Sequence, residues 1–121
     1  MEKEEELSKK LDVLETDYRK EKQQIEETIQ DVHHENQIFR REVESLADYV
    51  RYMAKKEEAT GTEALQQAYR FLQEAQEEGQ MVVKKTLNKL NEKQEEQRLS
   101  YQKQRTTYEE SILLARKERN S

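Results

Sequence analysis

Apolar side chains recur at alternating threes and fours along almost the whole chain, and this one periodicity narrows the possible folds more than any other feature. In the first half the series runs Leu7, Leu11, Leu14, Tyr18, Ile25, Ile29, Val32, Phe39, Val43, Leu46, Val50 and Met53, with Lys22 and Asn36 in its two gaps. In the second half it resumes as Leu65, Tyr69, Leu72, Gln76, Gly79, Val83, Leu87, Leu90, Gln94, Gln97, Tyr101, Gln104, Tyr108, Ile112 and Ala115. A mean step of about 3.5 residues keeps one edge of an α-helix against a partner helix, whereas a half-buried strand needs strict alternation. Two successive steps of four around Tyr18 to Ile25 resemble a stutter, at which supercoiling should relax.

Little else interrupts a helix. Proline is absent, there are 2 glycines, and Glu, Lys, Gln, Arg and Leu dominate. The break falls at Ala59-Thr60-Gly61-Thr62. Gly61 tolerates the positive φ that ends a helix, Thr60 and Thr62 offer capping hydroxyls, and Thr60 with Glu63 fits a capping box. The pattern predicts an all-α, long antiparallel helical hairpin: one helix over 3–58, a turn at 59–62 and a second helix over 63–118, in a single domain spanning 1–121. An unbroken helix through Gly61 is the competing reading, since one interior glycine costs only about 1 kcal/mol. Matching the two halves favours the turn. With Gly61 at the apex, the apolar-poor stretch Glu15 to Gln24 falls opposite the equally poor Gln97 to Thr106, and Gly79 falls near Val43, where it admits a bulky neighbour.

Composition says what such a hairpin cannot be. With 32% hydrophobic and 40% charged residues the chain lacks the material for a thick interior. No cysteine means no disulfide and no thiolate metal site. The net charge of -5, with both signs interleaved, does not supply the basic stripe that nucleic acid requires. Acidic residues are in excess over the first sixty residues, and the last eleven include Arg116, Lys117 and Arg119 against Glu118, an arrangement that suits both helix dipoles and an approach of the two ends. The charged start Met1-Glu2-Lys3-Glu4-Glu5-Glu6 is unlike a secretory signal, and the longest apolar run, Ile112 to Ala115, is far too short to span a bilayer. A cytoplasmic protein without membrane insertion is expected, with export by a signal-peptide-independent route as its other fate.

Catalytic and ligand-binding constellations are missing. His33-His34-Glu35 is the only histidine cluster, and adjacent helical residues point about 100° apart, so the pair cannot close on one metal. Carboxylate pairs such as Glu26-Glu27 and Glu109-Glu110 arise by chance on solvated faces of so acidic a chain. The expectation is a protein that is not an enzyme and has no cofactor and no metal. Asn36 and Lys22, in otherwise apolar seam positions, and Gln94, Gln97 and Gln104 suit a role in register or partner choice, or mark looser distal arms. Arg40-Arg41 beside Phe39 reads as a docking patch or, with Glu44, as an ordinary charged face.

Toward the turn the apolar residues spread beyond the seam to Ile38, Ala47, Tyr49, Tyr52, Ala54, Ala64, Ala68, Phe71 and Met81. One hairpin cannot bury both seam and flank, so a second hairpin, identical or different, is expected to complete a four-helix bundle. Scattered surface aromatics are the plainer account.

A two-helix hairpin with a short glycine-containing turn, in a small acidic chain without cysteine, resembles the WXG-type (Esx-like) bacterial proteins of type VII secretion. More narrowly it is similar to the small helical partner proteins (Lap-like) associated with LXG-domain toxins. The residues behind this are the retained Gly61 in Ala59-Thr60-Gly61-Thr62, the flanking Tyr49-Val50-Arg51-Tyr52-Met53 and Tyr69-Arg70-Phe71-Leu72, and the Lys/Glu/Gln-rich arms. The chain departs from the pattern in lacking tryptophan, and in lacking the export motif of Tyr or Phe followed four residues later by an acid: Tyr108 leads to Ile112, Tyr101 to Arg105, Phe39 to Val43 and Phe71 to Ala75. The resemblance implies an adaptor, a targeting factor or chaperone, which binds the N-terminal helical domain of an LXG toxin together with a second small helical protein. Its contacts would be Phe39, Val43, Leu46, Val50, Leu65, Tyr69 and Leu72, with Tyr49, Tyr52 and Phe71 on the flank. The competing readings are a self-associating coiled-coil scaffold or tether, a homodimer without a secreted client, and, more remotely, a prefoldin-like holdase, whose β-containing body this chain cannot build.

Overall fold

The computed structural model describes residues 2–56 and 62–121. They form two helices, α1 (Glu2–Lys56) and α2 (Thr62–Asn120), with no strand among the described residues. The two helices pack against each other as an antiparallel hairpin: Glu4 meets Arg116, Tyr18 meets Tyr101, and Phe39 meets Gly79. A single unbroken helix could bring none of these pairs together. The predicted turn at 59–62 lies outside the described residues apart from Thr62, which begins α2, and so does the predicted Thr60–Glu63 capping box. Each helix opens on carboxylates, Glu2, Glu4 and Glu5 in α1 and Glu63 in α2, and closes on cations, Lys55 and Lys56 in α1 and Lys117 and Arg119 in α2, so both macrodipoles are opposed.

Packing divides the chain into two compact units, each built from both helices. A terminal unit comprises residues 1–28 with 89–121, and a central unit comprises 29–88. In the terminal unit the rings of Tyr18 and Tyr101 stack with centroids 4.2 Å apart and planes 5° from parallel. This contact joins the two apolar-poor stretches that the sequence set opposite each other. At the helix ends of the same unit, Arg116 donates from Nε to Glu4 Oε1 at 2.6 Å and Arg119 donates from Nη1 to Glu4 Oε2 at 3.0 Å. Lys3 and Glu118 stand 3.9 Å apart beside them.

The seam is thin: Ile25, Leu72 and Ala115 are its buried residues, and most others are half-buried. In the central unit it departs from the apolar series read from the sequence. On α1 the half-buried positions run Phe39, Val43, Ala47, Val50, Met53 and Ala54, and Leu46 is left 52% exposed. On α2 they run Leu65, Ala68, Leu72, Ala75, Gly79 and Val83, displacing the expected Tyr69 and Gln76 outward. Ala47, Ala54 and Ala68, expected on the flank, thus belong to the seam. At Gly79 the reason is visible: the ring of Phe39 rests against the bare backbone, and Ala47, Ala68 and Ala75 share the contact line around it. The two consecutive steps of four fall at Phe39-Val43-Ala47 on α1 and at Ala75-Gly79-Val83 on α2, facing each other, rather than only near Tyr18.

Gly79 is the tightest point. A Cβ there would lie 2.6 Å from Phe39 Cε1 and 3.2 Å from Cζ, so the ring rests against bare backbone. The bulky neighbour that Gly79 admits is therefore Phe39, one helical turn from the expected Val43. Replacing a mid-helix glycine with alanine ordinarily gains about 1 kcal/mol. Here the displaced ring should cancel that gain, so Gly79→Ala is expected to be near neutral in the native background and stabilising by about 1 kcal/mol in a Phe39→Ala background. Urea unfolding of the four proteins in this cycle measures the coupling; equal effects in both backgrounds would show that the ring does not rest there.

The carboxylate of Glu4 is only 18% exposed under its two guanidinium partners. The Arg116 hydrogen bond, opposed by desolvation and aided by the nearby charge of Arg119, holds its pKa below the usual carboxylate value. A pKa lowered on folding gives stability that is present above the unfolded carboxylate pKa and is lost as pH falls through the folded value. Glu4→Gln should therefore lower the melting temperature at neutral pH and leave it unchanged near pH 2, with thermal scans at both pH values as the check.

Candidate functional site

The two long edges of the central unit differ. On one edge a groove is lined by Asn36, Phe39, Arg40, Val43, Glu44, Ala47, Arg51, Gln76 and Gln80, a mixed and largely polar set. On the other, Val32, Glu35, Asn36, Phe39, Gly79, Val82, Val83 and Thr86 line a shallow groove that is mostly apolar. Thr86 adds to its apolar character, because its hydroxyl donates to the Val82 carbonyl at 2.8 Å, leaving no free hydroxyl proton.

Helical spacing extends the apolar edge toward residue 56. Ile38, Leu46 and Tyr49 follow Glu35 by three, eleven and fourteen residues, so they share its side of α1. Phe71 precedes Val82 by eleven residues and shares its side of α2. All are exposed, Tyr49 at 59%, Phe71 at 70% and Val82 at 63%. Ile38, Leu46, Tyr49, Phe71 and Val82 thus share one side of the seam, while Tyr69 lies on the other and Tyr52 and Met81 point away from it.

The residues read as partner contacts separate into groups. Phe39, Val43, Val50 and Leu65 are half-buried and Leu72 is buried, so the hairpin itself occupies them, although Phe39 also reaches both grooves. Leu46, Tyr49 and Phe71 lie on the apolar edge. Tyr69 shares its side of α2 with Gln76 and Gln80 of the polar groove and is 38% exposed. Tyr52 sits midway between the seam residues Val50 and Ala54, and Met81 midway between Gly79 and Val83, so both point away from the opposing helix. Thr60 and Gly61 lie outside the described residues. Sequence reading passed over Val82, whose signal was its spacing from Phe71 and Ala75.

The polar seam positions also separate. Asn36 is half-buried between the two grooves of the central unit, while Lys22 is exposed. In the terminal unit Gln94 and Gln97 are half-buried and Gln104 is exposed. Gln97 lies between two grooves that Tyr18 also lines, and its Oε1 is buried without a hydrogen-bond partner. Nearby, Arg98 grips Glu95 and Arg105 donates to Glu109 at 2.9 Å. These hydrogen bonds are the main cause of the raised arginine pKa values and of the lowered Glu95 pKa. His33 and His34 are exposed, and no group of residues among those described could hold a metal ion. No described helix is long and apolar enough to cross a membrane.

Set beside known proteins, the chain matches no family model, no curated protein and no solved structure.

An unpartnered buried carbonyl oxygen is a net cost of about 1–3 kcal/mol. Gln97→Leu, which removes it and keeps the volume, should raise stability by about 1 kcal/mol in urea unfolding. A loss of stability would mean that the carbonyl is satisfied in solution.

Proposed function

We propose that this chain is a non-enzymatic helical adaptor that binds other helices through the apolar edge of its central unit. The observation that carries the reading is the one-sided display of Ile38, Leu46, Tyr49, Phe71 and Val82 beside a seam closed by smaller residues. Exposed large apolar side chains gathered on one edge suit a docking surface, and they recur at the spacing with which one amphipathic helix meets another. The hairpin is held together without them, so burying them against a partner need not disturb it.

The resemblance to the helical partners of LXG toxins supplies the client class: the N-terminal helical domain of such a toxin, bound together with a second small helical protein and delivered to type VII secretion. Apolar burial gives the affinity, and half-buried Asn36 restricts register and partner. Because the chain lacks the export motif, the second protein is the member that supplies it.

Co-expression with the adjacent reading frames, followed by light scattering of the purified product, tests this. The expected outcome is a complex containing a toxin helical domain. A stable homodimer that takes up neither neighbour would instead identify a self-associating scaffold. Leu46→Asp should abolish client uptake with unchanged far-UV circular dichroism, because Leu46 is exposed and outside the seam. Undiminished uptake by this variant would remove the edge from the interface.

A further inference from the structure

The apolar edge has an acidic centre. Glu42 follows Glu35 by seven residues, two helical turns, and precedes Leu46 by four, so it stands on the edge of α1; Glu78 precedes Val82 by four residues and stands on the edge of α2. Since Phe39 touches Gly79, these two carboxylates lie at nearly the same level of the hairpin. Tyr49 and Phe71 are on one side of them and Ile38 and Val82 on the other. Both are exposed, and neither they nor Glu35 take part in an ion pair among the described residues. The lysines on this side, Lys56 and Lys85, are toward its ends.

We infer that this edge selects an amphipathic helix whose apolar stripe is flanked at its middle by Lys or Arg, and that it rejects a second copy of itself. The inference rests on the helix-binding reading above and adds the partner's chemistry. Two-fold association is isologous, so a dimer centred on this patch sets Glu42 and Glu78 of one copy against the same residues of the other. Like charges brought together while losing water oppose such an interface strongly. A cationic flank removes that opposition. It also sets ammonium or guanidinium groups beside the rings of Tyr49 and Phe71, whose faces attract cations.

Two synthetic helices with the same leucine stripe and length, one flanked by lysine and one by glutamate, are titrated against the full chain by fluorescence anisotropy. The lysine-flanked helix should bind at least roughly tenfold tighter. That preference should disappear in Glu42→Lys/Glu78→Lys and persist in Glu6→Lys/Glu110→Lys, which changes net charge equally away from the edge. Circular dichroism confirms that both variants remain helical. Equal affinity for the two helices, no binding of either, or an equal loss of preference in both variants overturns the inference, as does a homodimer in light scattering that Leu46→Asp dissolves. Client uptake without a lysine preference sinks this inference alone; a lysine preference without client uptake sinks only the toxin-domain assignment.

Discussion

Close approach of two helices through small residues is the constraint from which the central unit follows. Gly79 leaves space for the ring of Phe39, and Ala47, Ala54, Ala68 and Ala75 continue the same thin contact. A contact line through these positions runs past Leu46 and Tyr69 on their respective helices. Leu46 and Tyr69 are consequently turned outward, to opposite edges, although the apolar spacing alone assigned both to the contact. The facing pairs of four-residue steps accomplish the change, since each shifts the contact line around its helix by part of a turn.

In the terminal unit a different balance holds. Its seam contains glutamines and tyrosines, and its ends are joined by the Glu4 pair with Arg116 and Arg119. Ion pairs of this exposure contribute little on their own, so the stacked tyrosines and the buried Ile25 and Ala115 carry much of the cohesion. The orphaned oxygen of Gln97 is tolerated beside them. Such a unit is held by a few specific contacts, whereas the central one is joined along a line of apolar residues from Phe39 on Gly79 to Leu72.

Hairpin architecture and the antiparallel pairing of the two halves were legible because they depend on periodicity and on absent helix breakers, both of which are written in sequence. The stack of Tyr18 on Tyr101 lies within the two apolar-poor stretches that folding the chain about its middle sets opposite each other. What could not be read was which side of each helix the partner occupies near residues 39–54 and 65–83. There alanine at 47, 68 and 75 makes the contact that Leu46, Tyr69 and Gln76 were expected to make. The division of the candidate residues follows from the same error of about one position. Phe39, Val43, Val50, Leu65 and Leu72 serve the hairpin, while Leu46, Tyr49 and Phe71 face outward together with Val82.

The parallel rings of Tyr18 and Tyr101 have an optical consequence. The chain contains 6 tyrosines and no tryptophan, so its near-ultraviolet spectrum is a tyrosine spectrum. Two phenols stacked at 4.2 Å couple their transitions and quench each other's emission. Separation of the terminal arms therefore changes the colour and brightness of the molecule without any label, and does so independently of whatever gathers around Tyr49.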